Sequence, residues 1–164
     1  MMYFGAFKGL TAPTGNCTAG YFCSLGAIHP NPSSEYYGDV CPAGHYCPEG
    51  TGDPEPCPAG SYLPDTTRDD VSDCIACDGG QYCERQGQVN VTGNCTEGYY
   101  CESAAAVATP TDGVTGDICP VGHYCPTGTT LPLPCADGYY MNVTMAPLCE
   151  VCPAGFYCIN ASYR

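Results

Sequence analysis

Residues 41–47 of the chain read Cys-Pro-Ala-Gly-His-Tyr-Cys, and the underlying pattern Cys-x-x-Gly-x-aromatic occurs eight times in 164 residues. The pattern begins at Cys17, Cys41, Cys57, Cys77, Cys95, Cys119, Cys135 and Cys152. Glycine at its fourth position permits a positive φ and therefore a tight turn. The aromatic ring that follows can lie on the neighbouring disulfide. The pattern therefore predicts a series of small modules, each built around two cysteines.

The cysteines also follow a longer period. The first eight recur in the second half of the chain, the first five at one constant offset and the last three at a slightly shorter one. Their positions are Cys17, Cys23, Cys41, Cys47, Cys57, Cys74, Cys77, Cys83, Cys95, Cys101, Cys119, Cys125, Cys135, Cys149, Cys152 and Cys158. We therefore divide the chain into a lead-in over residues 1–16 and two eight-cysteine units over 17–94 and 95–164. In such arrays each module contacts only its neighbours.

The composition indicates that cysteine must hold the fold together. Leu, Ile, Val and Phe make up only 23 of the 164 residues, and the formal net charge is −13. Chains with less than about 20% of these four residues and a high net charge are usually disordered, because they bury too little apolar surface to offset conformational entropy. Since each disulfide contributes about 2–4 kcal/mol by restricting the unfolded chain, eight of them can replace the missing core.

We expect a small disulfide-rich fold, mostly coil and short β hairpins, extended into an elongated tandem-repeat rod with little hydrophobic core. The 16 prolines and 21 glycines discourage helix formation. Only the Ser-Ala-Ala-Ala-Val-Ala stretch at residues 103–108 could form a helical turn.

Two disulfide frames are open from sequence. In the frame that we favour, each module closes on itself, with pairs 17–23, 41–47, 57–74, 77–83 and their equivalents in the second unit. In the shifted frame the pairs include 23–41, 47–57 and 83–95. That frame leaves Cys17 and Cys158 at opposite ends of the chain, where they could link successive subunits head to tail.

Cysteine content and glycosylation sequons both indicate an extracellular protein. Disulfides at this density persist only in oxidising compartments. Asn-x-Ser/Thr sequons, the acceptors of N-linked glycans, occur at Asn16, Asn90, Asn94, Asn142 and Asn160. No stretch has the features of a signal peptide or the roughly 18–20 apolar residues of a membrane span. We expect a secreted or cell-surface glycoprotein, with no membrane insertion by this segment, that was excised from a longer precursor.

The stretch from Cys41 through Cys47-Pro-Glu-Gly-Thr, continued from Cys57-Pro-Ala-Gly-Ser-Tyr to Cys74-Ile-Ala-Cys77, resembles the GCC2/GCC3 class of cysteine-rich repeats. That class is similar to the cysteine-rich modules of ephrin and tumour-necrosis-factor receptors. The likeness extends from Cys17 to Cys158. It implies an extracellular rod without catalytic residues, and it leaves the partner undetermined, because such modules serve receptors, matrices and coats.

Metal sites are weakly indicated. The pairs Cys74-x-x-Cys77 and Cys149-x-x-Cys152 have the spacing of zinc ligands, but their place in a regular two-per-module scheme favours disulfides. The best calcium candidate is the cluster Asp65, Asp69, Asp70 and Asp73, since calcium prefers several carboxylate oxygens. The matching loop at residues 141–148 carries no carboxylate, so a solvated acidic loop is the main expectation and no cofactor is predicted.

No catalytic arrangement is evident, and we predict that the protein is not an enzyme. His45 and His123 occupy equivalent places beside Tyr46 and Tyr124, with no repeated nucleophile or acidic pair near them. They are expected to be turn residues that pack over a disulfide.

The charge balance limits the partners. With 17 acidic residues against 4 Lys plus Arg, nucleic acids and anionic membranes would be repelled. The main functional hypothesis is a structural subunit of an extracellular filament, coat or matrix that self-associates head to tail through stacked modules. The alternative is a ligand-binding receptor ectodomain or stalk.

Overall fold

A computed structural model describes residues 3–4, 14–34, 36–159 and 162–163 of the chain. The described residues form two compact units. Unit 1 contains the residues up to Ile75 together with Arg85–Asn90, and unit 2 contains Ala76–Glu84 together with the residues from Val91 onward. The module that begins at Cys77 therefore belongs to unit 2, whereas the sequence period places it in the first eight-cysteine unit.

Short two-stranded sheets make up nearly all of the regular structure in the described residues. The paired strands are Tyr3–Phe4 (β1) with Gly15–Asn16 (β2), Tyr21–Cys23 (β3) with Gly38–Val40 (β4), His45–Tyr46 (β5) with Glu55–Pro56 (β6), Ser61–Tyr62 (β7) with Ile75–Ala76 (β8), Gln81–Tyr82 (β9) with Gly93–Asn94 (β10), Tyr99–Cys101 (β11) with Gly116–Ile118 (β12), His123–Tyr124 (β13) with Leu133–Pro134 (β14), Tyr139–Tyr140 (β15) with Glu150–Val151 (β16), and Cys158–Ile159 (β17) with Ser162–Tyr163 (β18). The predicted class, a disulfide-rich fold of coil and short antiparallel hairpins, is confirmed.

Each module closes its own disulfide. The bonds are Cys17–Cys23, Cys41–Cys47, Cys57–Cys74, Cys77–Cys83, Cys95–Cys101, Cys119–Cys125, Cys135–Cys149 and Cys152–Cys158. The shifted frame does not occur, and neither Cys17 nor Cys158 is free to link subunits. The physical reason is the turn between the two cysteines, which brings Cα atoms six residues apart to within 5.9 Å in the first module.

That turn has the same form in every module. The residue after the glycine donates its main-chain N–H to the residue after the first cysteine, as His45 does to the Pro42 carbonyl at 3.2 Å. Gly44 lies between them with a φ of 82°, which makes this a type II turn. A side chain at such a φ is strained, so the glycine follows from the turn type.

Cysteine dominates the buried apolar surface. Most cysteines are fully buried, and the few apolar side chains that join them are small or occur singly, such as Ala27, Leu63, Ala105 and Met141. Many larger apolar side chains remain exposed, among them Leu148 and Val151. Covalent closure and the turns therefore carry the fold.

The expectation of a helical turn at residues 103–108 is wrong. Ala104 has a φ of 55°, and its N–H donates to the Cys77 carbonyl at 2.9 Å instead of to a helical partner. The neighbouring Ala105 is buried and receives the N–H of Cys83 at 2.8 Å. Tertiary contacts therefore override the helix propensity of the alanines. Within the described residues, no helix has the length and hydropathy of a membrane span.

Candidate functional site

Within each unit, successive modules are joined by a pair of main-chain hydrogen bonds on the module glycine. Gly20 donates its N–H to the carbonyl of Cys47 at 2.8 Å, and its own carbonyl accepts the N–H of Cys41 at 2.8 Å. One glycine thus binds both ends of the next module's disulfide loop. The same pair joins Gly80 to the Cys95–Cys101 module at 2.8 and 2.9 Å. We call this arrangement the glycine bracket.

The bracket persists where the second cysteine is replaced. Leu63 and Met141 stand six residues after the first cysteine of their modules, and both are buried. Leu63 accepts the N–H of Gly44 at 2.8 Å, and Met141 accepts that of Gly122 at 2.9 Å. Main-chain geometry is therefore kept although the disulfide uses a later cysteine. The sequence analysis did not predict a role for these two residues. The feature that could have indicated one is an apolar residue at the position where the other modules have their second cysteine.

Three of the bracketing glycines, Gly44, Gly80 and Gly98, leave no room for a side chain. A Cβ on Gly98 would lie 2.6 Å from the carbonyl oxygen of Met145, one module farther on. A Cβ on Gly44 would collide with the carbonyl of Gly87, and one on Gly80 with that of Gly128. Each of these glycines therefore also contacts a part of its own unit that lies beyond the module joined by its bracket.

The four aspartates of the calcium hypothesis do not form a cation site. Asp65 pairs with Arg68 at 2.6 Å, and Asp70 caps a short 3₁₀ turn at Val71–Asp73 by accepting the N–H of Ser72 at 2.8 Å. That N–H holds the pKa of Asp70 below its usual value. Asp73 completes the capping box by accepting the N–H of Asp70. In the part of the chain that the structure describes, no three His, Cys, Asp or Glu side chains gather as metal ligands.

The cysteine pairs with zinc-ligand spacing are divided between different disulfides. Cys74 is bonded to Cys57, whereas Cys77 is bonded to Cys83. A cysteine sulfur in a disulfide is not the thiolate that a zinc ion requires. The structure therefore gives these pairs a structural role.

The two equivalent histidines have the same environment. Nδ1 of His45 lies 3.2 Å from the carbonyl oxygen of Ala43, and Nδ1 of His123 lies 3.2 Å from that of Val121. Each ring is thus tied to the main chain of its own turn.

The sequon asparagines differ in their surroundings. Asn90, Asn94 and Asn142 are exposed, whereas Asn16 is half-buried and its amide donates to Glu49 at 3.0 Å. Asn160 lies outside the described residues.

A loop around Asp112 is held by hydrogen bonds to the Asp112 carboxylate. The sequence analysis did not predict it. The carboxylate accepts the N–H groups of Val114 at 2.8 Å and Thr115 at 2.7 Å, and also the Thr115 hydroxyl at 2.8 Å. These donors, first of all the Val114 N–H, hold the pKa of Asp112 below its usual value. The Asp-Gly-Val-Thr-Gly stretch at 112–116 was a readable signal for such a turn.

A shallow groove of about 340 Å³ lies on unit 2. Its lining residues are Tyr124, Pro134, Ala136, Tyr139, Leu148 and Cys149. The lining is largely apolar and carries no ionisable group other than the two phenols. It can accept an apolar or aromatic group.

The site is thus a set of main-chain and aromatic contacts, and no group of three potential metal ligands occurs in the described residues. No known family model matches the chain. A comparison with curated proteins likewise finds no match.

Proposed function

We propose that this protein is a structural segment of an extracellular glycoprotein of the GCC2/GCC3-like class, which builds a filament, coat or matrix by stacking cysteine-rich modules. The observation that carries the proposal is the glycine bracket. Within each unit it joins one module to the next through main-chain atoms, so it requires no particular side chain at the residues that it joins. A contact of this kind can extend beyond one polypeptide.

An extracellular location is supported by the covalent chemistry. Eight disulfides are compatible with a secreted protein and would be reduced in a cytosol. Exposed sequons such as Asn90 and Asn142 could carry glycans, which would cover the short strand edges against sideways pairing.

Assembly would be noncovalent and noncatalytic. Among the described residues no cysteine is free, so a Cys158-to-Cys17 bond between subunits would require breaking a disulfide. The histidines face main-chain carbonyls of their own turns. The protein would therefore act through its shape and its main-chain hydrogen bonds.

The second candidate function is a receptor ectodomain or stalk. The groove around Tyr124 and Tyr139 favours it, because aromatic rings beside a proline form a common surface for ligand contacts. A ligand for this groove would be largely apolar.

Negative-stain electron microscopy of protein secreted from eukaryotic cells separates the two candidates. The chain is examined over rising concentration, with iodoacetamide present to block thiol exchange. Regular filaments or sheets that form under these conditions support the structural function. Dispersed single particles at every concentration would overturn it and favour the receptor.

A further inference from the structure

The cysteines differ in how far they are exposed to solvent. Thirteen of the sixteen are buried, and the exceptions are Cys74, Cys149 and Cys152. Cys74 and Cys149 hold the same position in the two halves of the repeat, whereas the counterpart of Cys152 is the buried Cys77. Cys74 lies well inside the stretch 36–159, all of which is described, so its exposure is not an effect of a chain end. One cysteine position is therefore half-buried in both halves, and it belongs to the disulfides that close the longer loops.

This half-buried position takes no part in a glycine bracket. In the Cys41–Cys47 module, the bracket of Gly20 binds the main chain of both cysteines of the disulfide. In the next module, the bracket binds Cys57 and the buried Leu63, and the second cysteine of the disulfide, Cys74, lies outside it. Opening the Cys57–Cys74 bond therefore leaves both main-chain partners of the bracket in place.

The loop that this disulfide closes is also held by main-chain hydrogen bonds to the preceding module. Thr67 donates its N–H to the Cys41 carbonyl at 2.8 Å, and the Arg68 carbonyl accepts the N–H of Cys47 at 2.8 Å. These bonds fix the loop without the help of the long-loop disulfide. The second unit repeats both bonds at 2.9 Å, from Met145 to Cys119 and from Cys125 to Ala146.

The disulfides of the six-residue loops have neither property. Cys41 and Cys47 are both 0% exposed, so a thiol reaches their sulfurs only after the module has opened locally. Their main-chain groups are the ones that the bracket binds, so that opening also separates neighbouring modules. The two classes of disulfide therefore differ in access and in what their opening costs.

We infer that Cys57–Cys74 and its equivalent Cys135–Cys149 are thiol-exchange sites, which a small neutral thiol opens while the modules stay joined. This inference does not rest on the proposed function. The reagent's thiolate attacks Sγ of Cys74, the bond to Cys57 breaks, and Cys57 leaves as a thiolate that takes up a proton. A second thiolate then attacks the reagent's sulfur in the mixed disulfide, which releases the Cys74 thiolate. Two thiols are thus oxidised to one disulfide, and one protein disulfide is reduced.

The charge around Cys74 limits the class of thiol. The loop from Cys57 to Cys74 contains four aspartates and one arginine, and the whole chain has a net charge of −13. A thiol that carries further carboxylates, such as glutathione, is repelled by this field more strongly than 2-mercaptoethanol is. The site therefore favours neutral thiols over acidic ones.

Timed reduction of the native full chain with 2-mercaptoethanol tests the inference. Samples taken at successive times are trapped with N-ethylmaleimide, digested and mapped by mass spectrometry, so that each disulfide has its own rate. The bond Cys41–Cys47 is the control within the same unit. Hydrogen exchange of the Gly44 N–H, which donates to Leu63 at 2.8 Å, reports on the bracket in the partly reduced protein. Glutathione at low and high salt is the second reagent.

The two long-loop bonds should open about tenfold faster or more than the Cys41–Cys47 bond, because a buried sulfur requires local opening first. The Gly44 N–H should stay protected when only the long-loop bonds are open. Glutathione should react more slowly than 2-mercaptoethanol, and salt should reduce the difference by screening the aspartates.

Three results would overturn parts of this inference. Equal rates for all the bonds, or earlier opening of Cys41–Cys47, would show that the long-loop bonds are not exchange sites. Loss of protection at Gly44 on opening of Cys57–Cys74 would show that the modules do not stay joined. A difference between the two thiols that does not change with salt would refute the role of charge. None of these results bears on filament formation, which the electron microscopy tests separately.

Discussion

Gly98 donates its main-chain N–H to the carbonyl of Cys125 at 2.8 Å, across the boundary between two modules. The Gly98 carbonyl accepts the N–H of Cys119 at 2.9 Å, which completes the bracket. Gly138 makes the same pair of bonds, to Cys158 and Cys152, but has nothing within 4 Å of its Cβ direction. Gly98 thus also faces a residue two modules ahead, Met145, whereas Gly138 faces open space.

This difference predicts unequal effects of alanine. Gly138→Ala should cost about 1–2 kcal/mol of the free energy of unfolding, the strain of a left-handed alanine. Gly98→Ala should cost about 1–3 kcal/mol more, because its Cβ would press on the Met145 carbonyl. Denaturant unfolding with the disulfides intact measures both, and equal costs would contradict the two-module contact.

Removal of single disulfides should follow loop length. The bond Cys57–Cys74 closes a separation of 17 residues, whereas Cys41–Cys47 closes one of 6. Loop entropy alone predicts losses of about 3 and about 2 kcal/mol respectively on replacement of each pair by alanine. Denaturant midpoints of the two double variants provide the comparison. A larger loss for the short loop would show that packing of the buried sulfurs outweighs chain entropy.

Leu63 should behave as a core residue although it lies in a chain with almost no aliphatic core. Its side chain is 1% exposed at the position that a cysteine holds in six other modules. Leu63→Ala should destabilise the protein by about 2–5 kcal/mol, through lost burial and the cavity left behind. Leu25→Ala, at an 83% exposed leucine of the same unit, is the control and should change stability little.

Stability should depend on pH through Asp112. Its pKa is lowered in the folded protein by the Val114 N–H first and by Thr115 next. A carboxylate whose folded pKa is lowered contributes stability that is present above its unfolded pKa of about 3.9. That contribution is lost as the pH falls through the folded pKa.

The measurement is the melting temperature of the wild type and of Asp112→Asn between pH 2 and pH 7. The wild type should melt higher above about pH 4, and the difference should shrink as the pH is lowered through the acid range. Asp137→Asn, at an exposed aspartate of the same unit, is the control for the loss of one surface carboxylate. A difference between wild type and Asp112→Asn that stays constant down to pH 2 would refute the role of the carboxylate charge.

The division into modules could be predicted from the sequence because most of the disulfides close a short local loop. Cysteines six residues apart with an intervening glycine can turn back on themselves with no help from the rest of the chain, so the disulfide-rich hairpin fold was predictable. The 103–108 stretch shows the opposite case. Its alanines favour helix in isolation, but Ala104 and Ala105 are fixed by hydrogen bonds to Cys77 and Cys83.

The candidate site was less predictable because its contacts are not local. The glycine bracket joins residues far apart in sequence, such as Gly80 and Cys101, through main-chain atoms that carry no side-chain signal. The calcium hypothesis relied on the closeness of four aspartates along the chain, yet a single turn divides them among Arg68, Ser72 and a capping box. The local composition therefore indicated a cluster of carboxylates but not the hydrogen bonds and ion pairs that each carboxylate makes.

Each module is closed by its own disulfide, and most of the brackets bind the two ends of such a closed loop. Proteolysis without reduction at acidic pH, followed by mass spectrometry of the linked peptides, tests this closure directly. We predict linked pairs 17–23, 41–47, 57–74 and 77–83 with their equivalents in the second half, and no alkylated cysteine. Linked pairs such as 23–41 or 47–57 would show that the modules are not closed by their own disulfides.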